Sequence, residues 1–512
     1  MLFSTALRSP SRTTRANVFA TLLALVATSA AAWTADDPRP FLHPLFVPQA
    51  VLQQGKPIPI WGWTTPGAKV AVTIGGQNLN AVAGPDGKWL VKTTPFKVGD
   101  GPLTLTVSGP QQATVADLRI GEVWLCAGQS NMFWFMNAVK DSEKEIAVAN
   151  FPQISLFSML EDSSAVPRTT PNAVVHHWAS CIPGLVGNFS AVGFYFGREL
   201  FQHLDEPIGL INVSYGGTTC EAWMSEDAVR KEGDFGPQLS ALSASRAEMV
   251  AAGDKFNYDT LPVLHGPRNA PTLAYNGMFA PLAGFPVAGV LWYQGESNSG
   301  DAKMYRKLLP GLIADWRRQQ EDPNLPFVII QLAGHFKPHA DPFTDDVHTE
   351  DADWTRVMEV QADIAKIVPH CGLACAYDQG SVEEIHPTVK SEVGRRAGYA
   401  ALNLVYGKKD LMPCGPTVKA IQRDGESLII HYANIGKGLV VKGDGGVTTF
   451  AVADEGGALA WATAKVDKDI VTLTCPTAHH PVKVQFAYDC NPPGQLYNSD
   501  GEPAVPFRMD VK

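Results

Sequence analysis

Two hydrophobic patterns alternate along the chain. Between Phe41 and Leu118, short β-rich runs cover Ile58 to Trp63, Lys69 to Ile74, Trp89 to Thr93 and Leu103 to Val107. Turn residues such as Pro66-Gly67, Gly75-Gly76 and Pro85-Asp86-Gly87 separate them, which is spacing that suggests a small sandwich. From Gly121 the pattern changes to apolar runs that stop on glycine-rich or polar loops. Val123 to Ala127 ends in Gly-Gln-Ser-Asn, Ile208 to Ser214 in Tyr215-Gly216-Gly217-Thr218, and Val287 to Tyr293 in Gln294-Gly295-Glu296-Ser297-Asn298. Phe327 to Leu332 ends in Ala333-Gly334-His335, and Leu373 to Tyr377 in Asp378-Gln379-Gly380, with His386 following.

Helical spacing lies between these runs, at Ala191 to Leu204, Ala302 to Gln320, Trp354 to Ile367 and Ser391 to Tyr406. Strands alternating with helices predict an α/β domain with a mostly parallel sheet covered on both faces. Ser225 to Asn276 carries no strand pattern and is read as helices and loops near the mouth of the site. Past Cys414 the β pattern returns at Val418 to Arg423, Leu428 to Ala433, Gly438 to Lys442, Phe450 to Ala453, Ile470 to Thr474 and Val482 to Ala487. The expected organisation is an N-terminal β domain over 38–118, a catalytic domain over 119–412 and a C-terminal β domain over 413–512.

Composition narrows the class. A length of 512 residues suits several domains, and 18% charged with 45% hydrophobic residues suits a folded chain. A net charge of −10 disfavours nucleic acid as a partner, because phosphate binding needs clustered Lys and Arg. Arg8, Arg12 and Arg15 precede an apolar run from Val18 to Ala27, with Ala30 and Ala32 at signal-peptidase spacing. Residues 1–32 therefore read as a signal peptide, and the mature protein as secreted or periplasmic, with no membrane association after cleavage. Export permits disulfides among the eight cysteines, or they are plain buried thiols. Cys371-x3-Cys375 has no second pair at zinc spacing, and the histidines of the His335 to Asp353 stretch match no metal motif, so no metal or cofactor is expected. Trp61 and Trp63 read as packing residues, with sugar stacking as the alternative.

The candidate chemistry lies where the strands end. In parallel sheets a site forms outside the carboxyl ends of the strands, and Ser130, Gly216, Gly217, Gln294 and His386 all fall there. A serine at a strand end is by itself a common helix cap, and Gly-Gly is by itself a turn. As a set they offer a nucleophile, a base and oxyanion donors: Ser130 with its own N–H, His386, and then Gly216, Gly217 and the Gln294 amide. His386 needs an acceptor on its other nitrogen. Glu383 is the first candidate and Glu384 the second, through its carboxylate or its carbonyl, and a Ser–His dyad also fits. No G-x-S-x-G elbow occurs, which disfavours the usual α/β-hydrolase arrangement.

GEVWLCAGQSNM, SAVGFYFGREL, IGLINVSYGGTTCEAW, WYQGESN and IHPTVKSEVGRRA resemble the sialate O-acetylesterase family of SGNH hydrolases, as does FVPQAVLQQGKPIPIWGWTTPGAKV in the N-terminal module. The resemblance implies a flavodoxin-like SGNH hydrolase domain flanked by β-sandwich-like domains, and metal-free deacetylation of sugar esters through an acyl-serine. Ser130 matches the family nucleophile, His386 the base and Gly217 the second oxyanion block. Gln294 stands where other SGNH hydrolases carry asparagine, and Glu383 where the general pattern has aspartate. The implied partner is an O-acetylated sugar or glycan, with a polysaccharide such as xylan as the alternative to sialate. Arg356 reads either as a contact to a sugar carboxylate or as a surface salt bridge. A reading of another class, a catalytically silent carbohydrate-binding protein, leaves the co-occurrence of Ser130, Gln294 and His386 without a purpose.

Overall fold

Residues 39–257, 267–344 and 350–511 are described by the structure, a computed structural model. The signal-peptide segment at 1–32 and His348 lie outside them. The strands of the central sheet are β1 (Gln112–Gly128), β2 (Phe151–Met159), β3 (Val174–Cys181), β4 (Ile208–Ser214), β5 (Gly289–Tyr293), β6 (Phe327–Ile330) and β7 (Cys371–Ala374). The helices that matter for the site are α1 (Ser130–Phe133), α2 (Ala191–Leu204), α3 (Ala302–Gln319), α4 (Glu350–Ile367) and α5 (Lys390–Tyr406).

The sheet runs in the order β7-β6-β5-β1-β4-β2-β3. Every neighbouring pair is parallel except β2 and β3, an antiparallel edge. β4, β5 and β6 are buried along their whole length, as strands covered on both faces must be. The α2 helix begins on Ser190, whose hydroxyl accepts from the Gly193 N–H, and packs along α5. α3 packs on α4. Trp124, Trp292, Trp316 and Trp354 fill the space between sheet and helices and are almost wholly buried.

Two strands of the central sheet have no counterpart in the sequence reading, β2 and β3. Their pairing shifts register three times, and such irregularity erases the period of two that marks a strand. The expected boundary at residue 118 falls inside β1, which is 17 residues long. Its first half pairs antiparallel with Leu103–Ser108 of the N-terminal module, and its second half is the middle strand of the parallel sheet. The N-terminal module and the sheet are thus joined by one continuous backbone. Beyond α5, antiparallel strands form two four-stranded sheets and a two-stranded one.

Trp61 and Trp63 are buried, Trp61 lying tilted against His43 and meeting Phe46 edge-on, so they pack. All eight cysteines are free thiols, buried or half-buried.

Candidate active site

The middle strand ends in a turn that only glycine allows. Gly128 has φ +142°, and a Cβ there would lie 2.0 Å from the Tyr293 carbonyl oxygen. Gln129 follows in extended conformation and is buried; its Oε1 accepts from the Gln294 amide at 3.2 Å and from the Ser297 N–H at 3.2 Å. That side chain laces the end of β1 to the end of β5. Ser130 then opens α1 and is half-buried at the surface of the cleft.

Two neighbours of Ser130 bring His386 to it. Trp134, one helical turn on and so on the same face, stacks on the His386 ring with centroids 4.6 Å apart and planes 15° from parallel. Asn131 donates to the carbonyl of Ile385 at 3.1 Å. The loop carrying His386 is therefore clamped to the serine helix from both sides, although 256 residues (386 − 130) separate the two in the chain. Of the two glutamates, Glu384 lies against the histidine. Its Oε1 is 3.2 Å from Nδ1 and accepts the His386 backbone N–H at 2.9 Å. Glu383 is exposed, and its N–H goes to the Ser381 hydroxyl. Burial pushes the His386 pKa below its ordinary value, the Lys390 charge adds to this, and Glu384 opposes it.

Gly216 and Gly217 sit beside the serine: a Cβ on Gly216 would lie 3.6 Å from that of Ser130. Gly217 has φ +72°, which requires glycine or strain. The Gly216 N–H donates to Glu161 at 3.0 Å, whereas the Ser130 and Gly217 N–H groups carry no hydrogen bond among the described residues. Gln294 is fully buried, and its amide nitrogen is directed inward, at Gln129, the Thr218 carbonyl and Asn298. Two of the four expected oxyanion donors are thus already engaged within the protein.

A buried network beneath the serine has no precedent in the sequence reading. Lys390 Nζ donates to Asn131 Oδ1 at 2.5 Å, and the Asn131 amide donates to Glu296 Oε1 at 2.5 Å. Burial pushes Lys390 down to about 7 and Glu296 up, each opposed by the other's charge. Glu296 and Asn131 stand in the two strand-end motifs, but Lys390 sits on α5, and nothing in the local sequence separates it from a surface lysine.

The remaining candidates go elsewhere. Arg356 pairs with Asp353 at 2.9 Å, the salt-bridge reading. His335 meets the Ser381 carbonyl and His339 meets Asp489.

The chain is similar to proteins of known class. The family model described as "Carbohydrate esterase, sialic acid-specific acetylesterase" matches residues 274–401. The sialate O-acetylesterase of Mus musculus is 30% identical over 399 residues, covering 71% of this chain and 73% of the mouse protein. That of Homo sapiens is 30% identical over 394 residues, covering 71% and 70%. The crystal structure of a carbohydrate acetylesterase from Xanthomonas citri superposes with a TM-score of 0.77 at 32% identity, covering 92% of this chain and 99% of that one. The family model and these relatives define a carboxylic ester hydrolase. The chain belongs to the sialate O-acetylesterase family.

Proposed function

We propose that the protein is an exported carbohydrate O-acetylesterase working through an acyl-serine, with the SGNH division of labour. Ser130 Oγ attacks the acetyl carbonyl as His386 takes its proton. The Ser130 and Gly217 N–H groups receive the oxyanion. Gln294 and Gly216, expected beside them, are assigned a supporting part, because their donors already hold the loops in place. His386 then passes its proton to the departing sugar oxygen as the C–O bond breaks, releasing the sugar hydroxyl and leaving acetyl on Ser130. Water, deprotonated by the same imidazole, attacks the acyl group, and acetate leaves as Ser130 recovers its proton. Glu384 orients the ring through Nδ1.

The observation that carries this reading is the clamp of Ile385–His386 onto the serine helix by Trp134 and Asn131. Ser130→Ala is expected to lower acetate release from 4-nitrophenyl acetate on the order of 1,000-fold or more, with the thermal transition unchanged. Full turnover retained by the Ser130→Ala variant ends the proposal.

A further inference from the structure

A cavity of about 910 Å³ is lined by neither Ser130 nor His386. It lies where the loop leading to His386 meets the C-terminal sheets, lined by Asp378 and Gly380 on one side and by Thr449, Trp461, Asp489 and Asn491 on the other. Its size is within the roughly 300–1,000 Å³ of small-molecule sites.

Three observations say what it takes. Trp461 is 42% exposed, yet its indole N–H donates to the Ala340 carbonyl at 3.0 Å, so an open ring is held in one orientation. Thr449 is 8% exposed, and its hydroxyl is buried without a hydrogen-bond partner. Leaving a buried polar group unpaired costs about 1–3 kcal/mol, which a ligand hydroxyl at that spot would recover. No lysine or arginine lines the cavity. Its two carboxylates are already engaged, Asp378 by Arg396 and Asp489 by His339. A fixed aromatic face, an unmet hydroxyl and the lack of lysine and arginine suit an uncharged pyranose ring, which stacks its C–H face on an indole and presents hydroxyls at its rim. They suit an anionic sugar less, because the imidazole in the lining, His339, already meets Asp489 and a sugar carboxylate would be desolvated without a cationic partner of its own.

We infer that this cavity is a subsite for an uncharged segment of a glycan, with Trp461 as its stacking platform and Thr449 as a hydrogen-bonding contact. The inference deepens the proposed function and rests on it for the bond that is cleaved. The substrate it implies is an oligo- or polysaccharide whose acetylated unit reaches Ser130 while neutral neighbours occupy the junction with the C-terminal sheets.

Calorimetric titration of the whole protein with xylohexaose, cellohexaose, mannohexaose and sialyllactose tests this. At least one neutral hexasaccharide is expected to bind, more tightly than sialyllactose. Trp461→Ala is expected to weaken that binding about tenfold or more. Thr449→Val is expected to weaken it about fivefold while leaving the thermal transition unchanged or raised, since the hydroxyl it removes makes no bond in the protein. Turnover of 4-nitrophenyl acetate stays within twofold of the parent in both variants. No binding of any neutral hexasaccharide, tighter binding of sialyllactose, or undiminished affinity in Thr449→Val overturns the inference. Ser130→Ala separates the two readings, because it removes turnover if the proposed function holds and leaves hexasaccharide affinity as it is.

Discussion

His386 is held between opposing charges, and the balance sets when it can act as a base. In the proposed mechanism only the neutral ring accepts the Ser130 proton, so activity is expected to fall as pH drops through the His386 pKa. Burial and Lys390 place that pKa below the ordinary 6.5. The acid limb of kcat/KM for an aryl acetate is therefore expected to have its midpoint below 6.5. Glu384 pulls the pKa up by both charge and hydrogen bond. Glu384→Gln should move the limb to still lower pH and reduce kcat through loss of ring orientation, while Glu383→Gln leaves both unchanged. A limb that moves with Glu383 and not with Glu384 would exchange their roles. The sequence puts both glutamates within three residues of the histidine. Which carboxylate folds back to Nδ1 depends on backbone turns between Ser381 and His386 that no pattern of residue types encodes.

Among the elements, the decisive contact is between α1, the loop after β5 and the start of α5. Asn131 is the tie, accepting from Lys390 and donating to Glu296 and to the Ile385 carbonyl. Asn131→Ala would leave a buried ammonium and a buried carboxylate without their shared partner, and should cost about 1–3 kcal/mol in urea denaturation. An unchanged midpoint would show that water replaces the amide and that the tie is weak. The strands feeding this cluster were legible because a strand buried on both faces writes itself as a continuous apolar run, as Ile208–Ser214 does. The edge pair Phe151–Met159 and Val174–Cys181 was not. There Pro152, two adjacent histidines and the register shifts break the alternation.

Across the whole molecule, the C-terminal sheets are fastened to the helix that carries Lys390. Glu502, 3% exposed in its side chain, pairs with Arg395 at 2.9 Å and sits 3.6 Å from Arg396, which in turn grips Asp378. Tyr377 donates to the Ala504 carbonyl and Tyr497 to Asp378. Removing one partner of a buried ion pair strands the others, so Glu502→Ala is expected to cost roughly 3–5 kcal/mol and to lower the transition of the entire chain. A transition confined to a separate, unaffected catalytic unit would show that the modules unfold independently. With β1 continuous from the N-terminal module into the sheet, both flanking modules are part of the frame that positions the serine.

By itself the sequence determined a mostly parallel sheet, a serine at the end of one of its strands, the glycines at another strand end and the histidine after the last strand. Each of these is written locally, in apolar runs and in the residue types that loops require. Only the tertiary structure decided that Trp134 and Asn131 hold His386 in place, that the Gln294 amide faces inward, that Lys390 lies buried under the serine, and that a cavity opens beside Trp461. Those depend on which distant side chains meet. Such meetings are set by how helices and loops pack over the sheet, and the chain's local pattern carries no record of that.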